Sequence, residues 1–281
     1  MNPESILKEC TLPAMPHVAA KIMSLVNDPA AKVEDVQVVI SADQALTSRV
    51  IKVSGSVFHT GGRKVETISD AVVVLGFEAL KNIAIAIATK DIYKGSGNIG
   101  EKLWEHAIGV SIAAGIIGKT QRAFKINTEK CIVGGLLHDI GKAVMNQNQP
   151  NKYIEVVNFV TKNRVSFSKV EKEIFGFTHQ EVGALLFREW KFSPELTEMV
   201  SNHHSCNLIK NNDKSMGLCY IVSFADCICQ VMGVGYLTQL PELCTQKQEM
   251  MKTLDIKPTD MGAMLEEFQQ KFIEEKLSFM G

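Results

Sequence analysis

Five of the seven histidines, His106, His138, His179, His203 and His204, fall after position 105, each on or beside a segment with helical periodicity. Two aspartates share that setting. Asp139 follows His138 directly, and Asp226 lies inside the apolar run 221–230. Taken singly, a histidine on an apolar helix is usually a hydrogen-bonded core residue. The company these residues keep argues for more. In Gly134-Gly135-Leu136-Leu137-His138-Asp139-Ile140-Gly141-Lys142, an imidazole and an acid interrupt an otherwise apolar helical run. Burying that carboxylate costs several kcal/mol unless a cation or hydrogen bonds compensate. A metal ion is the simplest compensation, and the glycines let neighbouring helices approach closely enough for side chains to converge. Asp226, in Val222-Ser223-Phe224-Ala225-Asp226-Cys227, poses the same problem on another helix. Two buried acids and several imidazoles thus read as one metal-ligating site. Lys142 lies one helical turn beyond Asp139, on a similar face. There it would neutralise a phosphate or help protonate a leaving oxygen. The alternative is a solvated lysine near a helix end.

Helices must position these groups. His17–Val26 places Val18, Ile22, Leu25 and Val26 on one stripe, after a proline suited to a helix start. Short helices are expected over Lys32–Ile40, Gln44–Val53 and Ser69–Leu75, punctuated by Asp28-Pro29, Gly55 and Gly61-Gly62. A longer apolar helix follows Gly76 and runs to about Tyr93, while Val57–Val65 reads equally as a loop or a short hairpin. Gly95–Gly100 is the clearest internal break. Beyond it, helices are expected near Glu101–Gln121, Thr128–Met145, Tyr153–Thr161, Val170–Phe175, His179–Trp190, Pro194–His203, Ser215–Met232 and Thr259–Leu277. The last carries Met261, Met264, Leu265, Phe268, Phe272 and Ile273 on one face, as for a helix closing on the core. The expected fold is all-α, with an N-terminal helical lobe over residues 1–95 and a metal-site helical domain over 96–281.

Composition narrows the classes further. At 281 residues and 46% hydrophobic, the chain can bury real cores and is not disordered. A net charge of −1, with lysines and arginines scattered, argues against a nucleic-acid or membrane-surface partner. In the first half, Asp43, Arg49, Lys52, His59, Arg63 and Asp70 read as solvated helix faces rather than a binding surface, and His17 and His59 as structural. The seven cysteines, an odd number without a Cys-x-x-Cys pair, fit reduced thiols; Cys227 and Cys229 beside Asp226 read as core. No apolar run approaches the roughly 20 residues of a membrane span, and the start has no signal-peptide pattern. A soluble, cytoplasmic protein is the expectation.

The ordered residues resemble a known family. His138-Asp139-Ile140-Gly141-Lys142 resembles the signature dyad of the HD superfamily, and the order His106 … His138-Asp139 … Asp226 matches that superfamily's metal ligands. Trp104-Glu105-His106, Gly135 to Lys142, Thr178-His179-Gln180-Glu181-Val182-Gly183-Ala184 and His203-His204 are similar to the HDOD family. So are Leu12-Pro13-Ala14-Met15-Pro16 and Ile68-Ser69-Asp70-Ala71 with Leu75-Gly76. The resemblance runs from about Leu12 to Met232 and implies a multi-helical HD-superfamily fold. It implies a first metal held by His106, His138, Asp139 and Asp226. Asp139 would bridge to a second, held also by His179 and one of His203 and His204. Such mixed ligands suit iron, manganese or zinc. Two ions about 3.5–4 Å apart could activate water for attack on phosphorus and clamp phosphoryl oxygens, with Asp139 and Lys142 nearest the chemistry.

By the same resemblance the chain is a bacterial signal-transduction or regulatory protein, acting through signalling partners or a phosphate-containing small molecule. A second function is metal-dependent phosphohydrolysis of nucleotides or cyclic dinucleotides, because the ligand set resembles that of the HD-GYP phosphodiesterases. The Gly-Tyr-Pro loop of those enzymes is missing: Gly235-Tyr236-Leu237 lacks the proline, and no arginine-rich pocket is evident. A di-iron redox or oxygen sensor is a third, disfavoured by the absence of a Glu-x-x-His pair.

Overall fold

A computed structural model describes residues 3–26, 30, 32–57, 65–94, 97–210, 213–235 and 242–280. Asp28-Pro29, His59, Gly61-Gly62, Arg63, Gly95 and Tyr236-Leu237 lie outside the described residues, as does most of the 57–65 stretch. Among the described residues all regular structure is helical, as the apolar periodicity requires. None of these helices is long and apolar enough to cross a membrane.

The first half forms α1 (Pro3–Glu9), α2 (His17–Val26), α3 (Val33–Ser41), α4 (Gln44–Val57), α5 (Ile68–Leu75), α6 (Phe77–Ala88) and α7 (Lys90–Lys94). Polar residues set their ends. Asp43 Oδ1 accepts from the backbone N–H of Leu46 at the start of α4, 2.9 Å away. Thr67 and Asp70 each accept the other's backbone N–H, at 3.0 and 2.9 Å, capping α5 reciprocally. The single helix expected from Gly76 to Tyr93 instead breaks at Thr89. Its hydroxyl turns back onto the Ala86 carbonyl, 2.6 Å away.

The second half comprises α8 (Gly97–Thr120), α9 (Thr128–Leu137), α10 (Ile140–Asn148), α11 (Pro150–Asn163), α12 (Phe167–Phe175), α13 (His179–Glu189), α14 (Pro194–Asn202), α15 (Asp213–Val231), α16 (Glu242–Thr253) and α17 (Asp260–Met280). Every residue of α8 from His106 to Gly118 is buried. A helix apolar on all sides has to be enclosed, and α9, α15 and α17 enclose this one. In α17, Met264 and Phe268 are buried, whereas Ile273, expected on the same stripe, is 70% exposed. Five residues beyond Phe268, it has rotated well off that face.

The two halves share polar contacts. Thr11 N–H donates to Asn148 Oδ1 at 2.8 Å, and Asn148 Nδ2 donates back to the Thr11 carbonyl at 3.0 Å. Trp190 Nε1 donates to the Pro13 carbonyl at 3.2 Å. The Leu12–Pro16 stretch therefore runs beside α10 and the end of α13. Helices α1 and α16 have no sequence signal of comparable strength; α16 in particular is mostly polar.

Candidate metal centre

The expected helix Thr128–Met145 is two helices. The chain breaks at the dyad, where Asp139 takes φ −103°, ψ 12°, and Lys142 N–H closes the turn onto the Asp139 carbonyl at 2.9 Å. Gly141, just past the break, lets α10 lie close against α13. A Cβ there would lie 2.0 Å from the His179 carbonyl oxygen, so α10 rests backbone to backbone on the start of α13. Gly135 allows the same closeness between α9 and α8, its ideal Cβ falling 2.7 Å from the Val110 carbonyl oxygen. At the head of α13, Thr178 Oγ1 accepts from Glu181 N–H at 3.3 Å and Glu181 Oε2 accepts from Thr178 N–H at 2.8 Å. That reciprocal cap fixes His179 in the first helical turn. His203 follows the end of α14, where the Ser223 hydroxyl donates to its carbonyl.

Four imidazoles are oriented alike. Nδ1 donates to the Val234 carbonyl in His106 (3.0 Å), to Gly135 in His138 (2.8 Å) and to Val200 in His203 (2.8 Å). In His179 it donates to Glu171 Oε2 at 2.6 Å. Those oxygens can only accept, so each Nδ1 carries a proton and each neutral ring offers a lone pair on Nε2.

The Nε2 atoms meet around Asp139. Its Oδ2 lies 3.3 Å from His138 and 4.0 Å from His106; its Oδ1 lies 3.3 Å from His179 and 3.5 Å from His203. His106 Nε2 is also 3.0 Å from Asp226 Oδ1, and the Nε2 atoms of His179 and His203 are 3.3 Å apart. Two groups of potential ligands result, each with its atoms within 4.8 Å of one another: His106, His138 and Asp139, and Asp139, His179, His203 and His204. Asp226 adjoins the first group, and its Oδ2 is 4.0 Å from His204 Nδ1. Every residue singled out in the sequence therefore reaches the cluster. All are buried except His204, whose side chain is 32% exposed.

These residues fit a metal. The His138 Nε2 and Asp139 Oδ1 atoms are buried without a hydrogen-bond partner, a cost of about 1–3 kcal/mol each unless something else satisfies them. Separations of 3.0–3.5 Å also match the edges of a coordination shell. Ligands about 2.1 Å from a tetrahedral centre lie about 3.4 Å apart. With both Nδ1 protons engaged elsewhere, neutral His179 and His203 have no hydrogen to place between their Nε2 atoms; a shared cation removes the conflict.

The charges are tightly balanced. Burial pushes the Asp139 carboxyl up, but His138 and Lys142 outweigh it and hold it far below the usual range. Asp226 is lowered as well, the histidines beside it, His106 foremost, outweighing burial. Burial pushes His203 down to about 4. His138 is raised despite burial, because Asp139 and Asp226 face it. Lys142 is not the solvated lysine of the alternative reading: it is 5% exposed, donates to Asp139 Oδ2 at 2.7 Å and lies 4.4 Å over the Phe167 ring. Sequence reasoning missed Glu171 behind His179, and Gln230, which donates to Asp226 Oδ1 at 2.7 Å.

An all-helical chain with this dyad at a helix break finds its class in the comparisons with known proteins. The HDOD domain model matches residues 12–206, and the chain belongs to the HDOD family. An HDOD domain protein of unknown function from Geobacter sulfurreducens is 26% identical with a TM-score of 0.75, covering 98% of this chain and 95% of that one. A candidate metal-dependent phosphohydrolase from Shewanella amazonensis SB2B shares the fold at 21% identity, TM-score 0.72 and the same coverage. Ribonuclease Y of Dehalococcoides mccartyi (strain CBDB1) is 25% identical over 145 residues, 50% of this chain and 22% of that one. The chain spans less than half the length of the curated relatives it matches.

Proposed function

We propose that this chain is a regulatory HDOD protein that holds two divalent transition-metal ions and hydrolyses a phosphate-containing small molecule there. One observation carries the reading: the two oxygens of buried Asp139 face two separate histidine groups. His106, His138, Asp139 and Asp226 would hold one ion, and Asp139, His179, His203 and His204 the other, with iron, manganese or zinc suiting the donors. When bound, such a pair supplies Lewis acidity to a phosphoryl oxygen and acidifies water. The chain's own residues do the rest. Backbone carbonyls behind His106, His138 and His203 hold the rings in one tautomer. Lys142 supplies a fixed positive charge and a proton at Nζ for a leaving oxygen. His204, the most exposed of the cluster, marks the side from which a substrate arrives.

A second reading, a sensor that binds a phosphate ligand without turnover, is favoured by the missing Gly-Tyr-Pro loop and by the engagement of Lys142 with Asp139. The test uses full-length protein purified without chelators. Its metal content is measured and it is assayed on bis(p-nitrophenyl) phosphate, mononucleotides, cyclic dinucleotides and short RNA. Chelator-sensitive turnover that Asp139→Asn abolishes supports hydrolysis. Two ions bound with no turnover selects the sensor, and protein that takes up no metal ends both.

A further inference from the structure

Glu171 is a buried acid that neither ligand group contains. It lies on α12 with 0% exposure. Its Oε2 accepts from both the ring Nδ1 and the backbone N–H of His179, at 2.6 and 2.8 Å, and its Oε1 accepts from the Tyr153 hydroxyl at 3.0 Å. The other three inward-facing histidines donate Nδ1–H to backbone carbonyls. The difference has chemical weight. A hydrogen bond to a charged acceptor is roughly twice as strong as one to a neutral acceptor. A carboxylate behind an imidazole also draws on the Nδ1 proton, makes Nε2 a stronger donor to a metal, and fixes the ring plane.

Charge separates the two groups in the same sense. The Lys142 ammonium sits on Asp139 Oδ2, the oxygen facing His106 and His138. Oδ1, facing His179 and His203, carries no hydrogen bond. Asp226 adds a negative charge to the first group, but Lys142 offsets one. Glu171, in turn, stands behind the second group, against His179.

We infer that Glu171 is a positioning residue that makes the His179–His203–His204 group the tighter of the two metal positions, so that the ions bind in sequence and this position fills first. The inference rests on the dinuclear reading above. Glu171 touches no substrate; it acts through His179.

The test is a titration of metal-free full-length protein with Co²⁺, followed by visible absorption and calorimetry. The parent should bind a first ion at least about tenfold more tightly than the second. Glu171→Gln keeps the volume. Its amide oxygen can still accept from Nδ1, and its amide nitrogen can donate to Tyr153, so the fold should hold. The first ion should then weaken by about 10–100-fold while the second is unchanged, and the two phases should merge. Asp226→Asn should do the opposite, losing the weaker ion and keeping the tighter one. A tight phase untouched by Glu171→Gln, or stripped by Asp226→Asn, overturns the inference. If Glu171→Gln does not fold, Glu171→Asp decides: it keeps the charge but draws the oxygen back from Nδ1, and an unchanged tight phase is again fatal. A parent that binds no Co²⁺ removes the dinuclear reading itself. Two ions of equal affinity in parent and variant remove only the order of filling.

Discussion

Nζ of Lys142 lies 2.7 Å from Oδ2 of Asp139, with both side chains almost wholly out of water. The turn that separates α9 from α10 brings them together, because Lys142 N–H closes onto the Asp139 carbonyl. The lysine therefore has two effects. It balances the Asp139 charge in the metal-free protein, and it competes with any cation for Oδ2.

Lys142→Met separates those effects. Without a metal, Asp139 would lose its ammonium partner inside the protein, and removing one partner of a buried pair costs about 3–5 kcal/mol. Denaturant melts in chelator should register that loss, and added Mn²⁺ should restore most of it. Turnover, if Lys142 supplies the proton, should fall by about 10²–10⁴-fold. A variant as stable as the parent in chelator would mean that the pair contributes little. Full turnover would take the proton from Lys142.

Asp139→Asn and Asp139→Ala address the bridge. Asn keeps the volume and removes the charge, so both variants should lose both ions. They should also leave the Lys142 ammonium buried without its partner, lowering stability by about 3–5 kcal/mol even in chelator. An acid on a helix surface would change stability by only about 0.5 kcal/mol. Metal analysis beside melts with and without chelator reads both. Three proteins of equal stability and equal metal content would dismiss the bridging role.

The residues at the heart of the cluster were legible because each breaks a pattern. His138 and Asp139 interrupt an apolar run, and Asp226 sits inside the wholly buried face of α15. The helix break between them was not legible. Leu137, Ile140 and Val144 keep helical spacing across the dyad, and the backbone contact that α10 makes just past the break, Gly141 against the carbonyl of His179, involves a residue far along the chain. Glu171 did leave a local trace. In α12 it stands four residues after Phe167 and beside Val170 and Ile174, an acid on the apolar stripe. A helix taken to start at Val170 rather than Phe167 hides that register. Gln230, one turn after Asp226, is an ordinary polar residue until the partner's position is known.

Metal binding should depend on pH through His138 and His203, which are displaced in opposite directions. Burial opposes the rise of His138, but the carboxylates of Asp139 and Asp226 outweigh it. In metal-free protein His138 keeps its second proton above the ordinary value near 6.5. A metal must displace that proton from Nε2. Affinity should therefore climb with pH up to that raised value and level off above it, with proton release detectable by calorimetry in buffers of different ionisation enthalpy. For folding the signs are separate. The raised His138 contributes stability that is complete below about 6.5 and lost as pH rises through its folded value. His203, pushed down to about 4 by burial, makes the unfolded chain the better proton acceptor between about 6.5 and 4, so stability falls as pH drops across that window. Together these groups place the metal-free optimum near 6.5, and loading with metal should move it upward. Metal affinity flat from pH 6 to 8 would contradict the His138 assignment.

Gly141→Ala tests the architecture that aims the site. A methyl group at Gly141 meets main-chain atoms: its Cβ would lie 2.0 Å from the His179 carbonyl oxygen and 3.0 Å from Gly183 N. No side chain can rotate to make room, so α10 must move away from α13, separating Asp139 from His179. The cost should reach or exceed the upper end of the usual overpacking range, about 1–3 kcal/mol, and metal should be lost with it. Gly134→Ala supplies the comparison within α9. Its Cβ would meet side-chain atoms: Met199 Cε and Val222 Cγ2, each at 3.1 Å, and Leu218 Cδ1 at 3.7 Å, and the two nearer ones need shift by only a few tenths of an ångström. Replacing glycine by alanine inside a helix also gains about 0.8–1 kcal/mol of propensity, so Gly134→Ala should stay near the parent's stability and keep its metal. Melts in chelator report the packing cost, and metal content reports the aim of the ligands. If Gly141→Ala matched Gly134→Ala in both, the backbone contact between α10 and α13 would not be what sets Asp139 among the histidines.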